Sequence, residues 1–352
     1  MKKFATLAVF AAISGGAWAQ SSVTLFGVLD ANARYVKNGD LNLKSLGSGG
    51  LNTSRIGFRG VEDLGDGLKA GFWLESGINV DSGSSSDASR FFNRRSTVSL
   101  IGNFGEIRLG RDFTPTYTGY ADYDVFGDNG IAAAGKFDAP LGVTRDSNAT
   151  AGSGQGTRLG NQIAYFLPSN IGGIYGRAAV AAGEGTAGNK YVGGRLGYAA
   201  GPFDVSGSYG EYEVAPVQGD DKFSVASAGA SYDLGVVKLS GYYTQNKFAN
   251  QKIASYGLGA IVPIGLGQIK AAYTRANASG RTAANANVDA NDADQFALGY
   301  VYNLSKRTAL YGTGVYVKNK AGAAFVATGG PTLLAGTDRK SSGAEVGIRH
   351  SF

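Results

Sequence analysis

Two arginines stand four residues apart in the segment Ser54–Leu64, SRIGFRGVEDL, where they alternate with apolar residues. In an extended chain Arg55 and Arg59 point to one side, while Ile56 and Phe58 point to the other. A guanidinium group keeps its charge at any working pH and attracts anions. The pattern therefore allows three arrangements: a solvent-facing sheet, a nucleic-acid-binding face, or a barrel with a charged interior and an apolar exterior.

Few other residues could carry out catalysis or bind a metal. The chain has no cysteine, and its single histidine, His350, lies two residues from the end. This composition excludes disulfides, thiolate metal sites and histidine clusters, and it leaves one possible histidine base for a serine hydrolase. We therefore expect no enzymatic activity, no cofactor and no metal.

Residues 1–19 are typical of a signal peptide that is cleaved on export. A basic start, Met1–Lys3, precedes the apolar run Phe4–Ile13 and the small-residue cleavage site Ala17–Ala19. The apolar run is shorter than the about 20 residues of a transmembrane helix. Loss of this segment lowers the net charge from +6 to +4, which is far from the clustered charge of a nucleic-acid-binding protein. We expect an exported chain of 20–352 that forms one domain.

Period-two alternation of apolar and polar residues predicts strands along the rest of the chain. In DQFALGYVYNL, for example, Phe296, Leu298 and Tyr300 share one side, and Gln295 and Gly299 share the other. The chain contains 56 glycines but only 7 prolines, which fits short turns between pleated strands better than disorder.

The connections between these strands fall into two classes. Seven are short turns: 63–67, 102–105, 168–173, 199–202, 233–236, 263–267 and 303–306. The longer, polar ones lie between them: about 37–50, 80–90, 113–157, 184–189, 214–221, 248–251, 278–292 and 319–341. Together they separate sixteen strands of about 10–13 residues, enough to cross a membrane when tilted.

This pattern predicts an all-β fold, a 16-stranded antiparallel transmembrane β-barrel with short periplasmic turns and long external loops. Such a barrel must close, because an open sheet edge would leave backbone groups unpaired in lipid. A soluble β-sandwich also alternates, so alternation alone leaves that fold open. Strand length, the two classes of loop, the signal peptide and the terminal Phe352 favour the barrel.

Several segments resemble the general-diffusion porins of Gram-negative outer membranes. They are QSSVTLFGVLDANARY at the mature start, SRIGFRGVEDLGDGLKAGFWLESG, FGEIRLGRDFTP and the ending VGIRHSF. The resemblance implies location in the outer membrane, contact with its lipid and lipopolysaccharide, and a homotrimer. It also implies that the third long loop, 113–157, folds into each pore as a constriction. The terminal Phe352 would be the signal that the barrel-assembly machinery reads.

The same resemblance assigns an arginine ladder to the wall that faces this loop. By motif, Arg55, Arg111 and Arg158 match its members, and Arg59 and Arg95 are further candidates. The acids opposite them would be Asp122, Asp124 and Asp128, in the segment YADYDVFGDNG, which replaces the motif usual at the tip of this loop. The alternative is that these arginines only solvate a polar lumen and that the acids only keep the loop soluble.

We therefore expect a passive channel for small hydrophilic solutes and ions, with a preference for anions. One alternative is a channel specific for a sugar, phosphate or dicarboxylate. A less favoured alternative is an outer-membrane barrel enzyme, because the one histidine lies at the periplasmic end of the last strand.

Overall fold

A computed structural model describes residues 22–138, 141–145, 156–185, 190–217, 219–331 and 339–352. The expected signal peptide, 1–19, lies outside the described residues. The strands before the third long loop are β1 Ser22–Asn38, β2 Leu41–Ser48, β3 Arg55–Gly65, β4 Leu68–Asn79, β5 Ser84–Ser85, β6 Arg95–Gly102 and β7 Gly105–Phe113. That loop contains the helix α1, Pro115–Ala121, and a 3₁₀ turn, Ala134–Phe137. The strands after it are β8 Arg158–Phe166, β9 Ile174–Ala181, β10 Lys190–Ala200, β11 Phe203–Val217, β12 Asp220–Asp233, β13 Lys238–Phe248, β14 Gln251–Ile264, β15 Gly267–Gly280, β16 Ala293–Asn303, β17 Thr308–Asn319 and β18 Lys340–Ser351.

These strands form one closed antiparallel barrel of sixteen strands, as the sequence predicts. Strand β1 pairs with β18 on one side, and on the other it pairs first with β3 and then with β2. Strands β2 and β3 are therefore two parts of one barrel strand, interrupted at residues 49–54. The two-residue β5 pairs only with the outer end of β4 and is not part of the wall.

The barrel wall is apolar outside and polar inside, the reverse of a soluble core. In β16, Phe296 is 52% exposed and Leu298 is 62% exposed, whereas Gln295 is only 1% exposed. An apolar exterior of this kind suits lipid, and the polar side chains are kept for the interior. The inside-out interpretation of the arginine pattern is confirmed, since Arg59 pairs across the sheet with Thr24 and Trp73 on the inner side.

All seven short turns and the connection 248–251 lie where the sequence predicts them, but two of the longer connections are wrong. In regions 37–50 and 214–221, β1 and β2, and β11 and β12, continue as paired strands through most of the predicted loop. Backbone pairing needs no apolar side chains, so strands continue through polar sequence beyond the apolar band. The polar composition of these regions therefore indicated exposure and not an absence of strands.

The last residue closes the barrel against the first strand. Phe352 and Gly27 exchange two backbone hydrogen bonds, with N···O distances of 3.0 and 3.1 Å. The Phe352 ring lies directly over Gly27, where a Cβ atom would stand 2.3 Å from the ring carbon Cζ. Glycine at position 27 is therefore required for the terminal aromatic ring to lie flat on the seam.

We expect Gly27→Ala to weaken this seam by about 1–3 kcal/mol, the usual effect of overpacking. The temperature at which the barrel loses its compact migration in a detergent gel should fall. Gly314→Ala is the matched control, because its added methyl would meet no atom within 4 Å. Equal midpoints for the two variants would contradict the assigned role of Gly27.

Candidate functional site

The third long loop folds inward from a root that both of its ends share. The Thr114 amide donates to the Thr157 carbonyl (3.0 Å), and the Thr114 hydroxyl donates to the Gly156 carbonyl (2.7 Å). Thr114 is also the N-cap of α1, and a proline follows it at the first helical position. Thr116 of this helix lies 3.5 Å from the hydroxyl of Tyr212 on the inner side of β11. The helix is thereby held against the inner wall.

Beyond the helix, the loop crosses the interior and bonds to successive strands. The Tyr123 hydroxyl donates to Asp204 Oδ1 (2.6 Å), and the Tyr123 carbonyl accepts from the Ser240 hydroxyl (2.8 Å). Farther along, the Ile131 amide donates to Glu345 Oε1 on β18 (3.0 Å). The loop therefore reaches from β7 past β11 and β13 to β18, and it occupies the interior where the resemblance places a constriction.

A second inward segment, residues 49–54 between β2 and β3, holds the tip of this loop. Asp30, fully buried on β1, accepts the backbone amides of Gly50, Leu51 and Asn52 at 3.1, 2.8 and 2.7 Å. The amide and the hydroxyl of Thr53 then donate to Oδ1 of Asn129 in the loop, at 3.0 and 2.7 Å. We call segment 49–54 with Asp30 the inner latch. The sequence analysis missed it, because a single aspartate in a strand gives no signal.

Four arginines gather around one carboxylate beside the root of the loop. Glu75 Oε1 lies 2.6 Å from Nε of Arg94 and 3.8 Å from Nε of Arg55. Arg158 interacts electrostatically with Arg94, Arg111 and Glu75, and its guanidinium lies 3.8 Å from the ring centroid of Phe113. We call Arg55, Arg94, Arg111 and Arg158 the upper arginine group. Its charge is strongly positive, since Arg55, Arg94 and Arg158 share the one carboxylate of Glu75 and Arg111 adds a further charge beside Arg158.

Arg94 was missed in the sequence, and Arg111 reaches the group through an irregularity. Arg94 and Arg95 are adjacent, so alternation allows only one of them to face inward in a regular strand. Arg94 precedes β6, so both arginines can face inward.

Arg111 follows Gly110, which has a φ of +118° and marks a bulge in the pairing of β7 with β8. The bulge changes the side to which Arg111 points, and its Nε donates to the Asn93 carbonyl (2.7 Å).

The guanidinium groups of Arg59 and Arg95 form a second group around Trp73, whose indole N–H donates to Glu75 Oε2 (3.0 Å) and so links it to the upper arginine group. Arg59 is four residues nearer the turn 63–67 than Arg55, which corresponds to roughly 13 Å along a strand. The guanidinium groups of Arg59 and Arg95 lie 5.1 and 4.5 Å from the ring centroid of Trp73. Arg108 lies beside them, bound to Glu106 and Asp112. We call Arg59, Arg95 and Arg108 the lower arginine group.

The structure places the three predicted loop acids in contacts other than ion pairs with the upper arginine group. Asp122 pairs with Arg195 of β10. Asp124 accepts the amides of Phe126 (3.0 Å) and Asp128 (2.9 Å), and Asp128 accepts the amide of Gly135 (2.5 Å). Two of the acids therefore brace the loop itself.

Ionisation in this loop is sensitive to pH near neutrality. Burial raises the pKa of Asp124, and burial together with the nearby Asp124 raises the pKa of Asp128 to about 7. Burial lowers the pKa of Lys136 to about 7, and its ammonium donates to Gln295 Oε1 (2.5 Å). Below neutral pH the loop therefore carries more positive charge than its composition indicates.

Comparisons with known proteins agree with this architecture. The sequence matches the family described as Gram-negative porin over residues 5–322. It is 42% identical to outer membrane porin protein 32 of Delftia acidovorans, across 100% of this chain and 99% of the relative. It is 29% identical to an outer membrane porin protein of Bordetella pertussis over the full length of both. A solved structure called an anion-selective porin from Comamonas acidovorans is 40% identical and superposes with a TM-score of 0.83, covering 95% of this chain and 100% of that one.

Removal of the acceptor that the inner latch binds should loosen the loop tip. We expect Asn129→Ala to remove the two hydrogen bonds from Thr53, together with the one that Asn129 donates to the Gly127 carbonyl. The local cost should be about 1–3 kcal/mol, and current noise in single-channel recordings should increase at an unchanged heat stability of the barrel. Asn170→Ala, in the exposed turn 168–173, is the matched control. If the current noise of both variants equals that of the parent protein, the inner latch does not hold the loop.

The pKa values in the loop predict a pH-dependent selectivity. Between pH 6 and pH 8 Asp128 becomes negative and Lys136 becomes neutral, so a preference for anions should decrease as the pH rises. Asp128→Asn should weaken this response, because one of the two titrating groups is lost and the other, Lys136, loses a carboxylate that interacts with it. The measurement is the zero-current potential under a KCl gradient at both pH values, with Asp66→Asn in an exposed turn as the control. A potential that is independent of pH would contradict the assignment.

Proposed function

Because the chain belongs to the Gram-negative porin family, it is a passive diffusion channel of the outer membrane for small hydrophilic solutes and ions, and we propose that it prefers anions. We propose further that the loop 113–157 is its constriction and that the upper arginine group is the wall opposite. The loop fits that role because it lies across the interior and bonds to β11, β13 and β18.

The observation that carries the proposed selectivity is the imbalance of charge around Glu75. Arg55, Arg94 and Arg158 stand near this one carboxylate, with Arg111 beside Arg158, and a guanidinium group is positively charged at any working pH. A ring of fixed positive charge at a narrow aqueous opening attracts anions and repels cations. The field acts over about 10 Å at 0.1 M salt, so the selectivity should weaken as salt rises.

The loop acids weaken this field less than their number suggests. Asp122 is paired with Arg195, and Asp124 and Asp128 accept backbone amides. The raised pKa of Asp128 further reduces negative charge below neutral pH. The name of the solved Comamonas relative, an anion-selective porin, supports the same direction of selectivity.

For assembly, we propose a homotrimer in contact with outer-membrane lipid and lipopolysaccharide, with Phe352 read by the barrel-assembly machinery. The exposed apolar bands of the wall support contact with lipid. The place of Phe352, at the end of β18 and 41% exposed on the closing seam, supports its role as a terminal signal.

We also propose that the protein catalyses no reaction. His350 is exposed near the short turns and lies 2.9 Å from the Thr308 hydroxyl. It stands on the outer face of β18, where it can be neither a base in the lumen nor part of a loop-side triad.

Neutralising the upper arginine group tests the proposed selectivity. Arg55→Gln, Arg94→Gln and Arg158→Gln should each lower the chloride-to-potassium permeability ratio by about two- to fivefold, since one charge at 4–8 Å in water is worth roughly 0.5–1 kcal/mol. The ratio is obtained from zero-current potentials in planar bilayers under a KCl gradient. The control is Lys306→Gln, which removes an exposed charge in the turn 303–306.

Two results would overturn this assignment. A cation-selective potential in the parent protein would remove the proposed preference. Ratios in all three variants that equal the Lys306→Gln control would show that the upper arginine group does not set the selectivity.

A further inference from the structure

The lower arginine group contains a cationic and aromatic site that the proposed selectivity does not need. Phe26 and Trp73 meet edge to face, with ring centroids 5.0 Å apart. The Arg59 guanidinium lies 5.3 Å from the centroid of Phe26 and 5.1 Å from that of Trp73. The Arg95 guanidinium lies 4.5 Å from Trp73. Two cations therefore stand against one pair of aromatic rings on the inner wall.

The charges at this site are unbalanced in favour of Arg59. Arg108 binds both oxygens of Glu106, at 2.8 and 2.9 Å, and also Asp112 at 2.5 Å. Arg95 lies 3.8 Å from Asp112. In the described part of the chain, no carboxylate pairs with Arg59, whose side chain is exposed. Glu75 also borders the site, since its Oε2 accepts the indole N–H of Trp73 (3.0 Å), but its Oε1 pairs with Arg94. Among the three guanidinium groups, that of Arg59 is therefore the one without a paired carboxylate in the described chain, and it touches both rings.

Space for a ligand adjoins these groups. A cavity of about 390 Å³ is lined by Arg59, Trp73 and Arg95, by the hydroxyl residues Ser22, Thr24 and Ser99, and by the Arg108–Glu106 pair, among others. Phe26 is outside this lining and packs against Trp73. It lies on the side of the short turns, beyond the upper arginine group as seen from the long loops. Its hydroxyl groups can bind carboxylate oxygens, and its ring edges offer apolar contact. Small-molecule sites combine these two features.

We propose that this cavity binds small organic carboxylates that carry a flat apolar group, with the carboxylate on Arg59 and the apolar group against Trp73, whose ring Phe26 supports. Such an anion satisfies both the unpaired guanidinium and the exposed ring surface, whereas chloride satisfies only the former. The proposal rests on the proposed function for the entry of anions into the lumen. It adds a site and a class of solute.

Trp73 makes the site measurable in the purified protein. The sequence has one other tryptophan, Trp18, within the segment expected to be removed on export. Fluorescence excited at the tryptophan band is followed while 3-phenylpropanoate is added to the porin in detergent at constant ionic strength. We expect a saturable change, with an apparent affinity at least tenfold higher than for propanoate. The neutral 3-phenylpropanol should give no saturation.

Variants separate the two contacts. Arg59→Gln should weaken 3-phenylpropanoate binding about tenfold, and Phe26→Leu should weaken it while leaving propanoate unchanged. Arg349→Gln removes a cation of the neighbouring strand β18 that lines a different cavity; it is the matched control and should bind as the parent does. Trp73→Phe should abolish the fluorescence change. Partial block of the chloride current by 3-phenylpropanoate is a second measurement of binding at the site that does not depend on fluorescence.

Several outcomes would overturn the site. The first is an equal fluorescence response to 3-phenylpropanoate, propanoate and chloride. The second is an affinity for 3-phenylpropanoate that neither Arg59→Gln nor Phe26→Leu changes. The third is a block of chloride current that is the same in Arg59→Gln as in Arg349→Gln. The KCl potential of the parent protein distinguishes this failure from failure of the proposed function. An anion-selective potential without saturable binding rejects the site alone, and a cation-selective potential with saturable binding rejects only the selectivity.

Discussion

Pairing of β1 on both of its edges is the constraint on which the rest of the structure depends. Its one edge bonds to β18 and its other to β3 and β2, so no backbone edge is left open to lipid. Closure also creates an interior that lipid cannot enter, where charged side chains cost little because water solvates them. The terminal Phe352 and Gly27 complete the same seam, and Asp30, on that strand, anchors the inner latch.

The carboxylates of the interior are largely committed to structure, and this commitment leaves the arginines in excess. Asp30 accepts three amides of the latch, Glu345 accepts the Ile131 amide and binds Arg34, and Asp124 accepts amides of its own loop. A carboxylate that accepts backbone amides holds a loop in place in a way that a guanidinium, which only donates, cannot. The excess of arginine in the interior is therefore in part a consequence of how the third long loop is held.

The sequence predicts what depends on local pattern and misses what depends on the crossing of distant segments. Alternation predicts the sixteen strands and the side on which Arg55 lies, and glycine-containing polar segments predict the short turns. Alternation does not predict the direction of Arg94, because this residue precedes its strand. It does not predict the inner latch either, because the latch joins residues 30 and 50–53 to residue 129, which are distant in sequence. The sequence predicts that Arg59 lies on the same side of the strand as Arg55 and four residues farther along it. The contact of Arg59 with Trp73 depends on how two strands pair, and only the structure shows it.

Arg55 and Arg59 stand at two levels of the same strand, roughly 13 Å apart, which exceeds the screening length of about 8 Å at physiological salt. At the upper level, Arg55, Arg94 and Arg158 lie near Glu75, with Arg111 beside Arg158. At the lower level, Arg59 has no paired carboxylate among the described residues, and it lies against the aromatic pair. Under the two proposals, charge at the upper level selects by sign and the aromatic surface at the lower level selects by the body of the anion, so one wall applies both criteria in sequence.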